Sequence, residues 1–420
     1  MVSVGVPRTR VLGAASPLRL RTRVRGTLTM FGPAFVAAIA YVDPGNFSTN
    51  FSAGSRYGYS LLWVVVLASA MAMPIQYMSA KIGIATGRSL PEICRERCPR
   101  ATAVLLWIQA ELVAIATDLA EFVGGAIGLN LVFGVSPVAS GCIVGLAAFV
   151  LLFLHSHGAR TFERAIAFLL IVIVGGFLYQ FLHIGIAPSH AATGLLPSVP
   201  DSGALYLAAG IVGATMMPHV VYLHSSMTSR RHVHPDDGSR RTALRGERSD
   251  VVVALGLAGL VNIAMLLLAA RVFAGSSGTA DLTAVHSQLG RVAGGGAAFA
   301  FAGALLVSGV SSSGVGTLAG QTVMAEFVHA QLPVYVRRGL TMLPAMAVLW
   351  LGVNTTSVLN FSQVVLSFGI PFALVPLVLI GRSKSIMGTF VNSRATTALM
   401  VVISTLVAGL NLALLVGRFA

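Results

Sequence analysis

The sequence predicts an all-α membrane protein whose chain crosses the bilayer eleven times. Three observations lead to this fold class. Of the 420 residues, 55% are hydrophobic and only 10% are charged, whereas soluble chains average about 25% charged residues. The mean hydropathy is +0.83, and at ~20 residues per span the apolar content suffices for about eleven spans. Helix-breaking residues also interrupt two of the apolar stretches near their middles.

Long apolar stretches with few charges recur along the whole chain. The predicted spans cover residues 28–51, 59–84, 103–133, 138–155, 163–185, 203–228, 251–274, 293–329, 335–353, 358–381 and 396–417. Residues 1–27 hold six arginines and no acid, and we interpret them as a cytoplasmic tail. Residues 229–250 are the most polar stretch and are predicted as a cytoplasmic loop, and residues 275–291 are a Gly/Ser-rich loop.

The basic residues indicate the orientation of the spans. The chain has 28 Lys and Arg against 14 Asp and Glu, a net charge of +14. With the N-terminus inside, 24 of the 28 fall in inward segments; the four others are Arg56, Arg271, Arg291 and Arg418. This positive-inside pattern predicts a multi-pass protein with a cytoplasmic N-terminus and an outside C-terminus. The charge therefore indicates a lipid bilayer, with its anionic head groups, and no nucleic acid as partner.

Two spans carry interruptions at mid-depth. The first reads AYVDPGNFSTN and contains Pro44, and the sixth reads GATMMPHVVYLHS and contains Pro218. Proline removes a backbone donor and disrupts the preceding turn. Ordinary proline kinks would give the same letters, but paired interruptions five spans apart are typical of transporters built from inverted repeats. The predicted units are 28–185, 203–381 and a last helix, 396–417.

The polar groups at these interruptions are suited to a divalent transition metal. Asp43 lies about halfway along an apolar span, where a carboxylate is costly and usually functional. Asn46 offers an amide oxygen, and Pro218 frees carbonyls around Ala214. Met217 adds a thioether sulfur, which favours softer ions than Mg²⁺ or Ca²⁺. Met216 is a competing sulfur on composition alone.

Three acids mark the third span. Glu111, Asp118 and Glu121 are spaced by seven and three residues, which places them near one face of a helix. Acids on one stripe of an otherwise apolar helix indicate a proton relay or a water-lined path. The alternative interpretation is that they form buried ion pairs that fix helix packing.

Histidines and arginines extend this pattern. His219 follows the sixth-span interruption and His224 lies further along the same span; histidine changes protonation near neutral pH. Arg337 and Arg338 stand at the inner end of the ninth span as candidate partners of the acids.

Together these motifs resemble the Nramp family of proton-coupled divalent metal transporters. The first-span DPGN and sixth-span MPH stretches carry the resemblance, and further similar stretches lie at 107–134, 308–327, 337–345 and 362–377. The resemblance implies a LeuT-type fold of two inverted five-helix repeats plus an eleventh helix, with helices 1 and 6 unwound at mid-membrane. It implies import of Mn²⁺ or Fe²⁺ with protons across the cytoplasmic membrane, with Co²⁺, Zn²⁺ and Cd²⁺ as further cargo. No permanently bound cofactor is expected.

The resemblance also assigns residues. The metal ligands would be Asp43, Asn46, Met217, the carbonyl of Ala214 and, in some states, Gln321. The proton path would use Asp118, Glu121, His219, Glu111, Arg338 and Arg337. Met217 argues against the magnesium-transporting branch of the wider family, which lacks this methionine.

Other classes of protein remain as alternatives. A sodium- or proton-coupled carrier of amino acids or amines has the same fold, but Asp43 would repel a substrate carboxylate. A cation channel usually repeats its pore loops, and no such repeat is visible. Neither HExxH nor GxSxG occurs, so we do not predict an enzyme. Three cysteines, Cys94, Cys98 and Cys142, are too few for a structural zinc site or a disulfide framework.

Overall fold

A computed structural model describes residues 32–156, 159–185, 188–231, 236–273, 281–329 and 332–419. Every regular element in these ranges is helical. The elements are α1 (Pro33–Ala40), α2 (Pro44–Tyr57), α3 (Leu62–Thr86), α4 (Leu90–Arg97), α5 (Arg100–Phe133), α6 (Pro137–Ser156), α7 (Ala159–Ile184), α8 (Pro188–Thr193), α9 (Ser202–Thr215), α10 (Pro218–Arg231), α11 (Asp237–Val272), α12 (Leu282–Ala293), α13 (Gly295–Val328), α14 (Val334–Leu351), α15 (Thr355–Gly381), α16 (Lys384–Met387), a 3-10 turn (Gly388–Phe390) and α17 (Arg394–Phe419). The predicted tail 1–27 lies outside the described residues.

The all-α membrane fold is confirmed, whereas the count of eleven spans stays a prediction. Within the described ranges, eight helices are long and apolar enough to cross a membrane. They are Leu62–Thr86, Arg100–Phe133, Thr161–Ile184, Ser202–Arg231, Asp237–Val272, Gly295–Val328, Thr355–Gly381 and Arg394–Gly417. The first predicted span falls on the two short helices α1 and α2, the fourth on the shorter apolar helix Pro137–Leu151, and the ninth on α14.

Two segments predicted as loops are largely helical. Residues 237–250 form the first turns of α11, which is 36 residues long, and the Gly/Ser-rich segment 275–291 contributes its end to α12. Asp236 caps α11 by accepting a hydrogen bond from the backbone N–H of Ser239 (2.9 Å). The prediction of a loop was wrong here because it rested on polarity alone. The polar residues include good helix formers, such as arginine and glutamate, and they follow an aspartate that caps the helix.

The helices that correspond to the third and eighth spans, α5 and α13, approach closely. A Cβ added to Gly309 would lie 2.5 Å from the Cα of Gly125, and one added to Gly128 would lie 2.5 Å from the backbone nitrogen of Leu306. Small residues allow helix backbones to meet in this way inside membranes. A Cβ on Gly124 would overlap Pro44 at 2.0 Å, so α5 also lies directly against the first interruption.

The interrupted helices lie at the centre of the molecule. In the most apolar 18-residue window of Ser202–Arg231, 89% of residues are buried, against 22% in the last helix, Arg394–Gly417. The helix α2 packs against α9 and α11, and α10 packs against α3 and α13. Both interruptions are therefore enclosed by protein, where unwound backbone is tolerated.

Candidate metal site and proton pathway

The first interruption is organised by the side chain of Asp43. This residue is the N-cap of α2, and Pro44 occupies the first helical position, where a missing N–H costs nothing. Asp43 Oδ1 accepts hydrogen bonds from the backbone N–H and the side-chain amide of Asn46, both at 2.8 Å. Its second oxygen, Oδ2, is buried without a hydrogen-bond partner. Oδ1 therefore caps the N-terminus of α2, and Oδ2 remains available to a ligand.

The backbone carbonyls that lose their helical hydrogen bonds at the first interruption accept hydrogen bonds from side chains of α11 and α13. The side-chain amide of Asn262 donates to the carbonyl of Tyr41 at 2.8 Å, and the hydroxyl of Ser308 donates to the carbonyl of Val42 at 2.5 Å. These bonds satisfy backbone groups that would otherwise be unpaired inside a membrane. Sequence reasoning missed Asn262 and Ser308; their only signal is a polar residue within a predicted apolar span.

The second interruption meets the first through Ala214. In a continuous helix the carbonyl of Ala214 would accept from residue 218, but Pro218 has no N–H. The amide of Asn46 instead donates to this carbonyl at 2.9 Å. Met217 is fully buried in the two-residue gap between α9 and α10, beside the buried Met216. The fold thus brings Asn46 into contact with both Asp43 and Ala214, and Met217 follows Ala214 by three residues in the chain.

Two glutamines differ from the sequence-based expectation. Gln321 lies on α13, thirteen residues beyond Ser308, which is about 20 Å along the helix axis. Since Ser308 is the α13 residue that reaches the first interruption, Gln321 does not join the Asp43 cluster in this structure. Gln363 of α15 does: a Cβ on Gly45 would lie 2.1 Å from its Nε2 and 2.9 Å from Asp43 Oδ2. The sequence signal for Gln363 is one amide in a buried apolar span.

The ligand chemistry of this cluster is mixed. It combines one carboxylate, two amides, a backbone carbonyl and an adjacent thioether. In the part of the chain that the structure describes, no three His, Cys, Asp or Glu side chains lie together as a metal-binding group. A site with a single charge and several weak ligands suits an ion that must bind and then leave.

Two of the third-span acids form ion pairs with the ninth-span arginines. Arg337 contacts Glu111 with both terminal nitrogens, at 2.6 and 3.1 Å. Arg338, fully buried, contacts Asp118 at 3.1 Å and also donates to Thr317 at 3.2 Å. The third-span stripe and the ninth span are therefore joined by two arginine–carboxylate pairs, as the alternative interpretation of these acids requires.

The third acid, Glu121, stands apart from these pairs. Glu121 is fully buried, and neither carboxyl oxygen has a hydrogen-bond partner. A Cβ on Gly316 would lie 2.6 Å from Oε2 of Glu121 and 3.1 Å from Oδ1 of Asp118. Both acids therefore face α13 at this glycine, where no side chain intervenes. His219 is equally buried, and both of its ring nitrogens lack partners. Glu121 and His219 are therefore the two fully buried titratable side chains of this region whose polar atoms have no hydrogen-bond partner.

His224 lies in a separate buried chain of polar groups. Its Nδ1 is 2.8 Å from Gln76 Oε1 and its Nε2 is 2.8 Å from Glu247 Oε1. The amide of Gln76 in turn donates to the hydroxyl of Tyr41, two residues before Asp43. Sequence reasoning assigned Glu247 to a solvated loop, whereas the helical start of α11 carries it into the protein interior.

On the side predicted as outer, a polar cavity of about 310 Å³ lies above the cluster. Ser52 and Asn360 line it, and the amide of Asn360 donates to Ser52 Oγ at 3.0 Å. Ser48, one turn nearer to Asp43, donates to Asn360 Oδ1 at 2.7 Å. These contacts between α2 and α15 separate the cavity from Asp43 in this conformation.

The start of α9, on the side predicted as outer, is also capped by an aspartate. Asp201 Oδ1 accepts from the backbone N–H of Ala204 at 2.7 Å and from the Tyr57 hydroxyl at 2.6 Å. The hydrogen bond from Tyr57 is the main cause that lowers the pKa of Asp201 below its usual value, followed by the bond from Ala204. Asp201 is exposed to solvent, in contrast to the buried Asp43.

Interrupted helices that meet at a buried ligand cluster, inside an all-helical membrane fold, define a membrane transporter rather than an enzyme. Comparison with known proteins specifies the family. Residues 34–417 match the family model described as Nramp, natural resistance-associated macrophage protein-like, and the chain belongs to the Nramp family.

Individual relatives agree with this assignment. The divalent metal cation transporter MntH of Chromohalobacter salexigens is 46% identical over 414 residues, which cover 97% of this chain and 95% of the relative. A crystal structure of the Eremococcus coleocola manganese transporter, with an aromatic bis-isothiourea substituted compound, matches with a TM-score of 0.84 at 30% identity, covering 97% of this chain and 89% of that one. Mhp1, a nucleobase-cation-symport-1 family transporter, matches at 14% identity with a TM-score of 0.60 over 92% of each chain, which supports the LeuT-type fold alone.

Proposed function

We propose that this protein imports divalent transition-metal ions, Mn²⁺ and Fe²⁺, across the cytoplasmic membrane by alternating access, driven by protons that move inward with the metal. The observation that carries the proposal is the buried carboxylate of Asp43. Its Oδ2 has no hydrogen-bond partner, and it lies beside the amide of Asn46 at the point where both interruptions meet. An unpaired carboxylate oxygen at this depth is costly unless a metal ion or a proton binds it.

Helix ends at the interruptions favour the same sign of charge. The helices α1 and α9 terminate at the cluster, and the C-terminus of a helix carries partial negative charge. Of the two opposing N-termini, that of α2 is already occupied by the carboxylate of Asp43, and that of α10 begins with Pro218, which has no N–H. This arrangement attracts a cation and disfavours the carboxylate of an amino-acid substrate.

Proton coupling is proposed from the acids behind the metal cluster. Glu121 and His219 are buried without partners, while Asp118 is neutralised by Arg338. In our proposal, metal binding at Asp43 favours the release of a proton from the third-span acids. The bound metal ion is positive, and it disfavours a second positive charge, the proton, on an acid nearby. The protons then pass through Asp118 toward the ninth-span arginines and Glu111.

The orientation is part of the proposal. The distribution of Lys and Arg supports a cytoplasmic N-terminus, an outside C-terminus and a location in the plasma membrane. The metal would then enter from the side of the cavity lined by Ser52 and Asn360 and leave toward the basic face.

One experiment tests the function. The full chain is reconstituted into liposomes that contain a pH-sensitive dye, and uptake is measured for Mn²⁺, Fe²⁺, Co²⁺, Zn²⁺, Cd²⁺, Ca²⁺ and Mg²⁺. We expect Mn²⁺ and Fe²⁺ to accumulate with internal acidification and Ca²⁺ and Mg²⁺ to be excluded. Two results would contradict the proposal. One is uptake of amino acids without metal, and the other is a metal flux that rises with concentration without saturating, as in a channel.

A further inference from the structure

An apolar groove opens on the face that carries most of the basic residues. It has a volume of about 600 Å³ and lies between the α4–α5 junction and the second half of α15. Phe372, Val375 and Leu379 form one wall and are each about half exposed, at 50%, 51% and 48%. Pro371 and Pro376 also line the groove.

The groove has the depth of one bilayer leaflet. Its lining on α15 extends from Pro371 to Ile380 and continues to Ser383 beyond the helix end. Ten helical residues rise about 15 Å. The hydrocarbon core of a bilayer is ~30 Å thick, so each leaflet contributes ~15 Å. A lipid acyl chain therefore fits along the groove from the interface to the middle of the membrane.

The rim of the groove is cationic. Arg97 lines the groove itself, and the exposed Arg382 and Lys384 flank its end at Ser383. Among the described residues, these three cations form no ion pair. A second cavity, of about 360 Å³, shares Cys98 with the groove and is lined by Arg95, Arg100 and His329.

The nearby acids are already engaged. Glu96 pairs with Arg88. Glu92 accepts from the backbone N–H of Ser89 at 2.8 Å within the cap of α4. The rim therefore keeps an excess of positive charge beside an apolar wall, which is complementary to a phosphate attached to hydrocarbon chains.

We propose that this groove is a specific site for an anionic phospholipid of the cytoplasmic leaflet. One acyl chain lies against Phe372, Val375 and Leu379, and the phosphate is bound by Arg97 and Arg382. The choice of leaflet rests on the orientation predicted from the basic residues; the site itself does not depend on the proposed transport function.

The test measures lipid binding to the purified full chain by native mass spectrometry, with dioleoylphosphatidylglycerol and dioleoylphosphatidylcholine as probes. We expect the wild-type protein to prefer phosphatidylglycerol. Each basic residue near a membrane surface contributes about fivefold in affinity, so Arg97→Gln with Arg382→Gln is expected to reduce this preference about 25-fold. Arg291→Gln, an exposed arginine on α12, is the matched control and is expected to leave the preference unchanged.

A second pair of variants tests the acyl chain. Val375→Trp is expected to fill the groove and weaken binding of both lipids, whereas Val401→Trp adds the same ring to a lipid-exposed position of α17 outside the groove. The proposal is overturned if the double arginine variant keeps the wild-type preference. It is equally overturned if inorganic phosphate displaces phosphatidylglycerol while Val375→Trp binds like the wild type, since the rim alone would then bind phosphate.

Discussion

In the proposed function Asp43 has two separable tasks, and two substitutions distinguish them. Oδ1 caps α2, and Oδ2 is the oxygen available to metal. Asp43→Asn keeps a capping oxygen, because asparagine caps helices as well as aspartate does, but it removes the charge. Asp43→Ala removes both. Since each variant eliminates the buried charge, the difference in stability between them measures mainly the hydrogen bonds that Oδ1 accepts from Asn46.

The magnitudes follow from the contacts. Removal of one partner from a buried pair of opposite charges costs about 2–5 kcal/mol, so both variants should bind Mn²⁺ roughly 30-fold or more weakly. Asp43→Ala also leaves the backbone N–H of Asn46 without an acceptor, and a lost cap costs about 1–2 kcal/mol. For a chain of this size that corresponds to a melting temperature about 1–3 °C below that of Asp43→Asn.

Isothermal titration calorimetry with Mn²⁺, proteoliposome uptake and thermal unfolding of the purified protein provide the three measurements. Asp201→Ala is the matched control, since it removes the cap of α9 at an exposed position far from the cluster. We expect it to lower thermal stability slightly and to leave Mn²⁺ binding intact. Substantial uptake by Asp43→Asn, or equal melting temperatures for the two Asp43 variants, would refute the division of labour between the two oxygens.

Three further predictions concern the same region. Met217→Ala is expected to weaken discrimination of Mn²⁺ and Cd²⁺ against Ca²⁺ and Mg²⁺ in competition assays. Met216→Ala, the control at a neighbouring buried methionine, should only lower stability. Unchanged competition by Ca²⁺ in Met217→Ala would contradict the role of sulfur. Asp118→Asn should suppress metal-driven acidification more than metal binding, and if acidification persists the residue serves packing alone. Gly316→Ala places a methyl group between two buried acids and should slow both acidification and uptake severalfold, while Gly303→Ala, where an added Cβ meets nothing within 4 Å, should have no effect.

The acids of the third span illustrate how far sequence reasoning extends. A spacing of seven and three residues predicts one helix face, and the structure has Asp118 and Glu121 both facing Gly316. The same pattern could not distinguish a structural ion pair from a free acid. Asp118 is paired with Arg338, 220 residues away in the chain, whereas neither carboxyl oxygen of Glu121 has a hydrogen-bond partner.

The glutamines also show that residue type alone does not decide which side chains lie at the Asp43 cluster. Gln321 and Gln363 are each a single amide in an apolar span, so composition gives them equal weight. Gln363 lies against Gly45 and Asp43 Oδ2, whereas Gln321 lies about 20 Å along α13 from the first interruption. The depth of each residue along its helix, set by helix packing, decides between them.

By itself, the sequence determined the membrane class, the two interruptions and the polar residue types at them. Each of these is a local property: apolar length specifies a span, and a proline removes the hydrogen bond of one particular carbonyl, that of Ala214. Only the tertiary structure decided which groups replace the lost bonds. Asn46 takes the carbonyl of Ala214, and Asn262 and Ser308 take those of the first interruption. These partners come from other helices, and their distance depends on how small residues let the helices approach, which no local pattern encodes.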